Sequence, residues 1–244
     1  MKLLTVGDVM VDVVTDQLPV AGERAHGRVE VRAGGSAVNA ALVARELGAD
    51  AQVVGRVGSD AGGELVIATL RASGVETSLA QDDDVPTGTA VALKDAVVAY
   101  RGANARLSPD DLPSPLKGDA LLVSGFALFQ EGSSEAARAA LERFDGAWTA
   151  VDLASPRLAR ADFDARVVFA TQDEAAAVPG LQERFEIVCL KDDYGVTRTS
   201  PFGAGDAFAA AFLVAVADGA SVDDARRRAA TCAASVARGS LLAT

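Results

Sequence analysis

Histidine is almost missing from this 244-residue chain: His26 is the sole example, beside two cysteines and one tryptophan. A lone histidine and two distant cysteines, Cys189 and Cys232, provide none of the spacings that hold zinc. A Ser-His-Asp triad would have to use His26, which stands in a polar, glycine-rich stretch and reads as an exposed side chain. Positive charge is also scarce. Lys and Arg total 23 against 34 Asp and Glu, a formal net charge of −11. That balance argues against a general binder of nucleic acid or anionic membrane, because a polyanion demands a basic face. It leaves room for a pocket that holds one small anion. Long apolar runs are missing too. The run from Ala207 to Ala217 is too short to span a bilayer, and Asp8 breaks the first apolar run too early for a secretory signal. A cytoplasmic location is expected. Both cysteines then read as small core residues, Cys189 on a strand and Cys232 on an Ala-rich helix.

What remains is a chain that is half hydrophobic, long enough to bury a substantial core without disulfide staples. Short β-branched runs alternate with longer amphipathic ones. Residues 3–6, 52–57, 120–124, 149–152, 166–170 and 185–190 read as strands. Between them the helical segments carry end signals. Ser36 can cap a helix through Leu47, with Gly48 to stop it. Residues 63–73 are helical, with Gly74 as the stop. Ser133 or Ser134 opens a helix through Phe144. Ser221 opens another, with Asp224 three residues on, close to a capping box. Such alternation predicts a parallel sheet with helices on both faces. Two stretches lack a helical period. Residues 13–32 hold short strands and turns, and residues 89–100 are strongly β-forming and suit a hairpin. They fit either a small second sheet over the main body or edge decoration of the main sheet.

Three short segments carry polar chemistry. Gly203-Ala204-Gly205-Asp206-Ala207-Phe208 opens the apolar helix that ends near Ala217. Small residues there let backbone N–H groups converge on an anion, and the helix N-terminus adds partial positive charge. Asp206 suits two descriptions: a general base beside such an anion nest, or an ordinary carboxylate favoured by the helix dipole. Gly34-Gly35-Ser36-Ala37-Val38-Asn39 opens a second helix. Its glycines permit close ligand approach, and Asn39 offers a donor and an acceptor; alone it also reads as a loop with a cap. Asp12 follows the first strand, at the carboxyl end where open α/β sheets place ligands.

Taken in this order, the segments resemble the ribokinase-like sugar kinases, the PfkB family. The two signatures are Gly34-Gly35-Ser36-Ala37-Val38-Asn39-Ala40-Ala41 and Gly203-Ala204-Gly205-Asp206-Ala207-Phe208. Between them Val57-Gly58-Ser59-Asp60 with Gly63, Pro86-Thr87-Gly88-Thr89-Ala90 and Gly102-Ala103-Asn104 match the family as well, so the resemblance runs from about Leu3 to Leu241. It implies an α/β fold, a ribokinase-like three-layer sandwich with a mainly parallel central sheet and a small β lid. It also implies one domain over residues 1–244, with lid strands at about 13–32 and 89–100. The implied activity is ATP-dependent phosphorylation of a hydroxymethyl group on a sugar or sugar-like molecule. In that scheme Asp206 is the general base, and Gly203, Ala204 and Gly205 form the anion hole. Asp12, Gly34, Gly35 and Asn39 bind substrate. Glu174, in Thr171-Gln172-Asp173-Glu174, acts indirectly on magnesium and phosphate. ATP and Mg2+ are the implied cofactors, a small-molecule sugar the substrate, and a homodimer through the lid the expected assembly, with no nucleic-acid or membrane partner. No Walker lysine loop and no His-Arg-Asp loop is present, as the family implies.

The match has departures. Thr171 stands where the family usually has asparagine, which bears on magnesium geometry. Ser200-Pro201-Phe202 replaces the usual residues before Gly203, which leaves a monovalent-cation site in question. Met10 replaces an asparagine common in ribokinases, so ribose is not the favoured substrate. The chain is also shorter than is usual for the family, with the shortfall at loops: the turn Leu93-Lys94-Asp95-Ala96, the region after Pro156, and residues 191–202, where segments flanking the adenine are expected. Three other classes stand beside the sugar kinase. A nucleoside kinase fits the same motifs. A non-catalytic sugar- or nucleotide-binding protein on the same fold fits the departures. A dinucleotide-dependent oxidoreductase would need Gly-x-Gly-x-x-Gly after the first strand, where this chain has Gly7-Asp8-Val9-Met10-Val11-Asp12. Arg56, Arg101 and Arg106 read as surface charges rather than phosphate ligands.

Overall fold

The computed structural model describes residues 1–15, 22, 24, 26–93, 96–197 and 203–237. Seven strands form the main sheet: β1 (Lys2–Val6), β4 (Asp50–Gly58), β5 (Glu76–Asp82), β8 (Ala120–Ser124), β9 (Trp148–Asp152), β10 (Val167–Ala170) and β11 (Ile187–Leu190). Their order is β11-β10-β9-β8-β1-β4-β5, and every neighbouring pair is parallel. The chain winds one way from β1 through β4 to β5, then returns to the other side of β1 for β8 and onward. The strand order therefore reverses between β1 and β8, and the carboxyl ends of that pair open the crevice where such sheets bind ligands.

Alternation along the strands builds two cores. Leu3, Val53, Leu122, Val167 and Phe169 point to one face. Leu4, Val54, Leu121, Val123 and Val168 point to the other. The first face carries α1 (Ser36–Glu46), α2 (Ala61–Ala72), α7 (Ala204–Ala217) and α8 (Val222–Ala237). The second is covered by α3 (Gly125–Leu128), α4 (Ser134–Arg143), α5 (Gln172–Ala176) and α6 (Leu181–Arg184). The α7 helix has no polar face after Asp206 because it is buried all round, with α8 packed outside it. Phe208 and Phe212 of α7 meet Phe169 of β10 edge-on, with centroids 6.1 and 5.4 Å apart. Such pairs contribute roughly 0.5–1.5 kcal/mol beyond the area they bury, and they hold α7 in register on the sheet. Cys189 and Cys232 are both buried and unpaired, as the sequence predicts.

The two non-helical stretches pair as a second, mixed sheet with strand order β3-β2-β6-β7. Its strands are β2 (Met10–Thr15), β3 (Val29–Gly34), β6 (Gly88–Leu93) and β7 (Ala96–Tyr100). The β6–β7 pair is the expected hairpin, with Leu93 opposite Ala96; the turn residues 94 and 95 lie outside the described residues, as do 16–21, 23 and 25 of the earlier stretch. Val29, Val31, Val97, Val98 and Tyr100 of this sheet are exposed.

Several boundaries differ from the sequence reading. Gly35, not Ser36, is the N-cap of α1. Its φ of 91° turns the chain so that Ser36 already sits in the helix, and no side chain caps that end. Helix α2 begins at Ala61 because Asp60 accepts the Gly63 N–H at 2.8 Å. Strand β5 has no counterpart in the sequence reading: as an edge strand its residues are mostly half-exposed or exposed and polar, so its apolar pattern is weak. The Asp224 N–H donates to Ser221 Oγ at 3.2 Å, and that hydroxyl donates to the Asp224 carboxylate at 3.0 Å, so Ser221 caps the helix as expected while the second bond joins the two side chains rather than closing a capping box.

Candidate active site

The site lies at the carboxyl ends of the parallel strands, where α1 and α7 both present their N-terminal turns. Gly203, with φ 90°, caps α7, and Asp206 follows on its first turn. Asn39 occupies the corresponding turn of α1 and is buried. Asn39 Nδ2 donates to Asp206 Oδ2 at 2.9 Å, which joins the two glycine-containing signatures through one side-chain pair. Burial pushes the Asp206 carboxyl up to about 7. The Asn39 bond and Lys191 oppose that rise, while Asp152 and Asp12 add to it. The group is therefore poised to exchange a proton near neutral pH, as a general base requires.

Asp12 is on β2 and fully buried, and among the described residues neither carboxylate oxygen has a partner at standard hydrogen-bond geometry, although the Gly35 N–H is close enough to favour its charged form. Burial pushes it up to about 6, against the pull of Arg32. A buried, unsatisfied carboxylate is costly, and Asp12 is close enough to Asp206 to raise its pKa. Gly34 is needed beside it, because a Cβ at that position would lie 1.9 Å from Asp12 Oδ2. A Cβ on Gly35 would lie 2.2 Å from the Asp8 carbonyl oxygen. The glycines of the first signature thus let β3 and α1 close on the Asp8–Asp12 segment.

A cavity of about 130 Å³ opens beside Asp206 and Gly205, and Ser36, Ser124, Asp152 and Lys191 also line it. Ser36 Oγ has no hydrogen-bond partner among the described residues. Lys191, the first residue after β11, is 5% exposed. Its Nζ donates to Asp152 Oδ1 and Oδ2 at 2.7 and 2.9 Å. Burial disfavours the ammonium, but Asp152, Glu174 and Asp206 outweigh it and raise its pKa. Ala154, two residues after Asp152, holds a φ of 67°, the left-handed value that few residues other than glycine adopt.

Glu174 is drawn into the same group, though by way of a cap. Its carboxylate accepts the Thr171 N–H at 2.7 Å, and Thr171 Oγ1 accepts the Glu174 N–H at 3.3 Å, a full capping box on α5. The threonine that departs from the family pattern is thus the N-cap of this helix. Burial raises the Glu174 carboxyl, and Asp152 adds to the rise, while Lys191 opposes it.

Asp206, Gly203, Ala204, Gly205, Asn39, Gly34, Gly35 and Asp12 therefore converge, and Glu174 is close enough to Lys191 to raise its pKa. Residues 200–202 lie outside the described residues. Sequence reasoning passed over Lys191 and Asp152. Each ends or follows a buried parallel strand, and a charge at that place was the available signal. Two of the arginines are not plain surface charges. Arg56 bonds Asp82 and Asp111, and Arg101 bonds Asp8 and Ser133, all partly buried, whereas Arg106 is more exposed and pairs with Asp82 and Asp84. The other matched segments are braces. Thr87 bonds Asp60 through its N–H and its hydroxyl, and Asn104 bonds both the N–H and the carbonyl of Val9.

Among the described residues, no group of three His, Cys, Asp or Glu side chains could hold a metal ion, and no helix is long and apolar enough to cross a membrane.

The pfkB family carbohydrate kinase model matches residues 1–193 and 193–243. Mouse ribokinase is 34% identical over 119 residues, 45% of this chain and 37% of that protein; the chain thus spans well under half the length of that relative. Among solved structures, the fold is similar to a ribokinase from Thermotoga maritima (TM-score 0.78, 21% identity, 98% of this chain and 95% of that one). It is similar also to an adenosine kinase from Sinorhizobium meliloti (TM-score 0.77, 22% identity, 97% and 94%).

Proposed function

The chain belongs to the pfkB family of carbohydrate kinases, and from that premise we propose that it transfers the γ-phosphoryl group of ATP to a hydroxymethyl oxygen of a sugar or sugar-like small molecule. The observation that carries this reading is the placement of Asp206: on the first turn of α7, bonded to Asn39, with a carboxyl poised near 7 beside a cavity.

The chemistry follows from the positions. Asp12, which has two unsatisfied buried oxygens, and Asn39 accept and donate hydrogen bonds to substrate hydroxyls. Their grip turns one hydroxymethyl oxygen toward Asp206. As that oxygen attacks the γ-phosphorus, its proton passes to the Asp206 carboxylate. The bond from the γ-phosphorus to the bridging oxygen breaks, and ADP departs with the electron pair. Backbone N–H groups of Gly203, Ala204 and Gly205 face the charge that gathers on the phosphoryl oxygens, so catalysis is positioning and electrostatics rather than covalent chemistry.

The described side chains do not form a self-sufficient magnesium site. A magnesium ion travels chiefly on phosphate oxygens; Glu174 and Asp152, which both interact with Lys191, would be the carboxylates to help hold it and would balance its charge. The second sheet, which carries Asp12 and Gly34, serves as a lid that excludes water from the transfer. Its exposed Val29, Val31, Val97, Val98 and Tyr100 suit a homodimer formed through that sheet.

The test is ADP release with a panel of sugars, sugar acids and nucleosides in the presence of magnesium. Release that depends on one substrate class supports the kinase and names its acceptor. No release with any of them, while a sugar or nucleotide still raises the melting temperature, favours a non-catalytic binding protein.

A further inference from the structure

We propose that Lys191 is a catalytic residue of this site, the fixed cation whose buried ammonium binds a non-bridging oxygen of the transferring phosphoryl group. The inference rests on the kinase reading above and adds a residue to it.

The cavity beside Asp206 is lined by two carboxylates, those of Asp152 and Asp206, and by one cation, Lys191. Glu174 and Asp12 add negative potential from either side. An entering phosphoryl group is itself an anion, so the walls repel it unless positive charge faces it. The N-terminal turn of α7 supplies part of that charge. Lys191 stands against the same turn: its Nζ is 3.5 Å from the point where a Cβ on Gly205 would lie. An ammonium carries three donors. Two reach Asp152 Oδ1 and Oδ2, and the third has no acceptor among the described residues. Asp152 thus holds the ammonium at the cavity wall.

A purely structural lysine would fit poorly here. Burying an ion pair of this kind gains little over apolar side chains of similar size, and both members line the cavity rather than the core. During transfer Lys191 neither gives nor takes a proton. It stabilises negative charge on the phosphoryl oxygens while the substrate proton goes to Asp206 and the bridging oxygen leaves on ADP. Where the described side chains lack a complete metal site, this ammonium provides charge that does not have to be recruited.

Three variants separate the role from simple neutralisation of Asp152: Asp152→Asn, Lys191→Met and the double variant. Lys191→Met alone leaves a buried, unpaired carboxylate and lowers the melting temperature. Asp152→Asn alone leaves the buried ammonium without its carboxylate, and the double variant, which removes both charges, is expected to be more stable than Lys191→Met. Relative to Asp152→Asn, the double variant is expected to lose about 100-fold in kcat, the scale of one lost transition-state donor. Its sugar KM stays within about threefold. A double variant that turns over as fast as Asp152→Asn overturns the proposal. Inorganic phosphate binding, measured by calorimetry on the same pair, needs no turnover: it is expected to weaken at least about tenfold when Lys191 is lost. Phosphate bound equally by both variants also overturns the proposal. If wild-type protein phosphorylates nothing but phosphate affinity still depends on Lys191, the anion site stands and the kinase reading falls.

Discussion

Asn39 donates to Asp206 across 2.9 Å, and this one bond couples the start of α1 to the start of α7. It also lowers the pKa of the carboxyl that burial raises. Replacing Asn39 with leucine removes that opposing effect. The acidic limb of kcat is then expected to move to higher pH, with activity recovering as the pH is raised. A pH–rate profile of the variant checks this; a limb that stays in place would mean that Asn39 does not tune the base.

Stability should fall as the pH rises from about 4 to about 7. Asp12 and Asp206 have carboxyls raised from 3.8 to about 6 and about 7. In that window the folded state holds protons that the unfolded state has released, so unfolding releases protons and becomes easier with each step in pH. Asp12→Asn flattens the lower part of the slope and Asp206→Asn the upper part. Melting temperatures across the range measure both effects, and a wild-type protein that gains stability between those limits contradicts the burial of the two groups.

Gly34→Ala should disturb substrate binding through Asp12. The added Cβ falls 1.9 Å from Asp12 Oδ2, so the carboxylate must swing aside or the β2–β3 pairing must open. The expected cost is about 1–3 kcal/mol of stability, as for other overpacked sites, with a raised KM for the acceptor. Urea unfolding and steady-state kinetics read the two consequences separately.

Glu174→Ala removes half of the α5 capping box and should cost roughly 0.5–2 kcal/mol, the usual range for a lost cap. Glu174→Gln keeps the geometry, since glutamine fills the same position in such boxes. The glutamine variant is expected to be as stable as wild type yet to need more magnesium for half-maximal rate. An unchanged magnesium dependence would leave Glu174 a purely structural cap.

The parallel sheet was legible because its strands are short, β-branched and buried on both faces, and because helices with clear end signals lie between them. The cap of α1 was not. Serine at residue 36 is a strong N-cap by type, but the positive φ of Gly35 starts the helix one residue early and turns Ser36 toward the cavity. Strand β5 was hidden by its polar edge character. Within the site, Asp206, Asn39 and Asp12 were recognisable because glycines or strand ends frame them. Lys191 and Asp152 were not, since their pairing spans 39 residues and only the fold brings the two strand ends together. Thr171, read in the sequence only as a departure from the motif, is also the residue that caps α5.

The most direct test of the account compares wild-type protein with Asp206→Asn in a single turnover of ATP with the best acceptor. Loss of the base is expected to slow phosphoryl transfer by about 100-fold to 10,000-fold, with acceptor affinity nearly unchanged. An asparagine variant that transfers phosphate at close to the wild-type rate would contradict the assignment of Asp206 as the group that takes the proton.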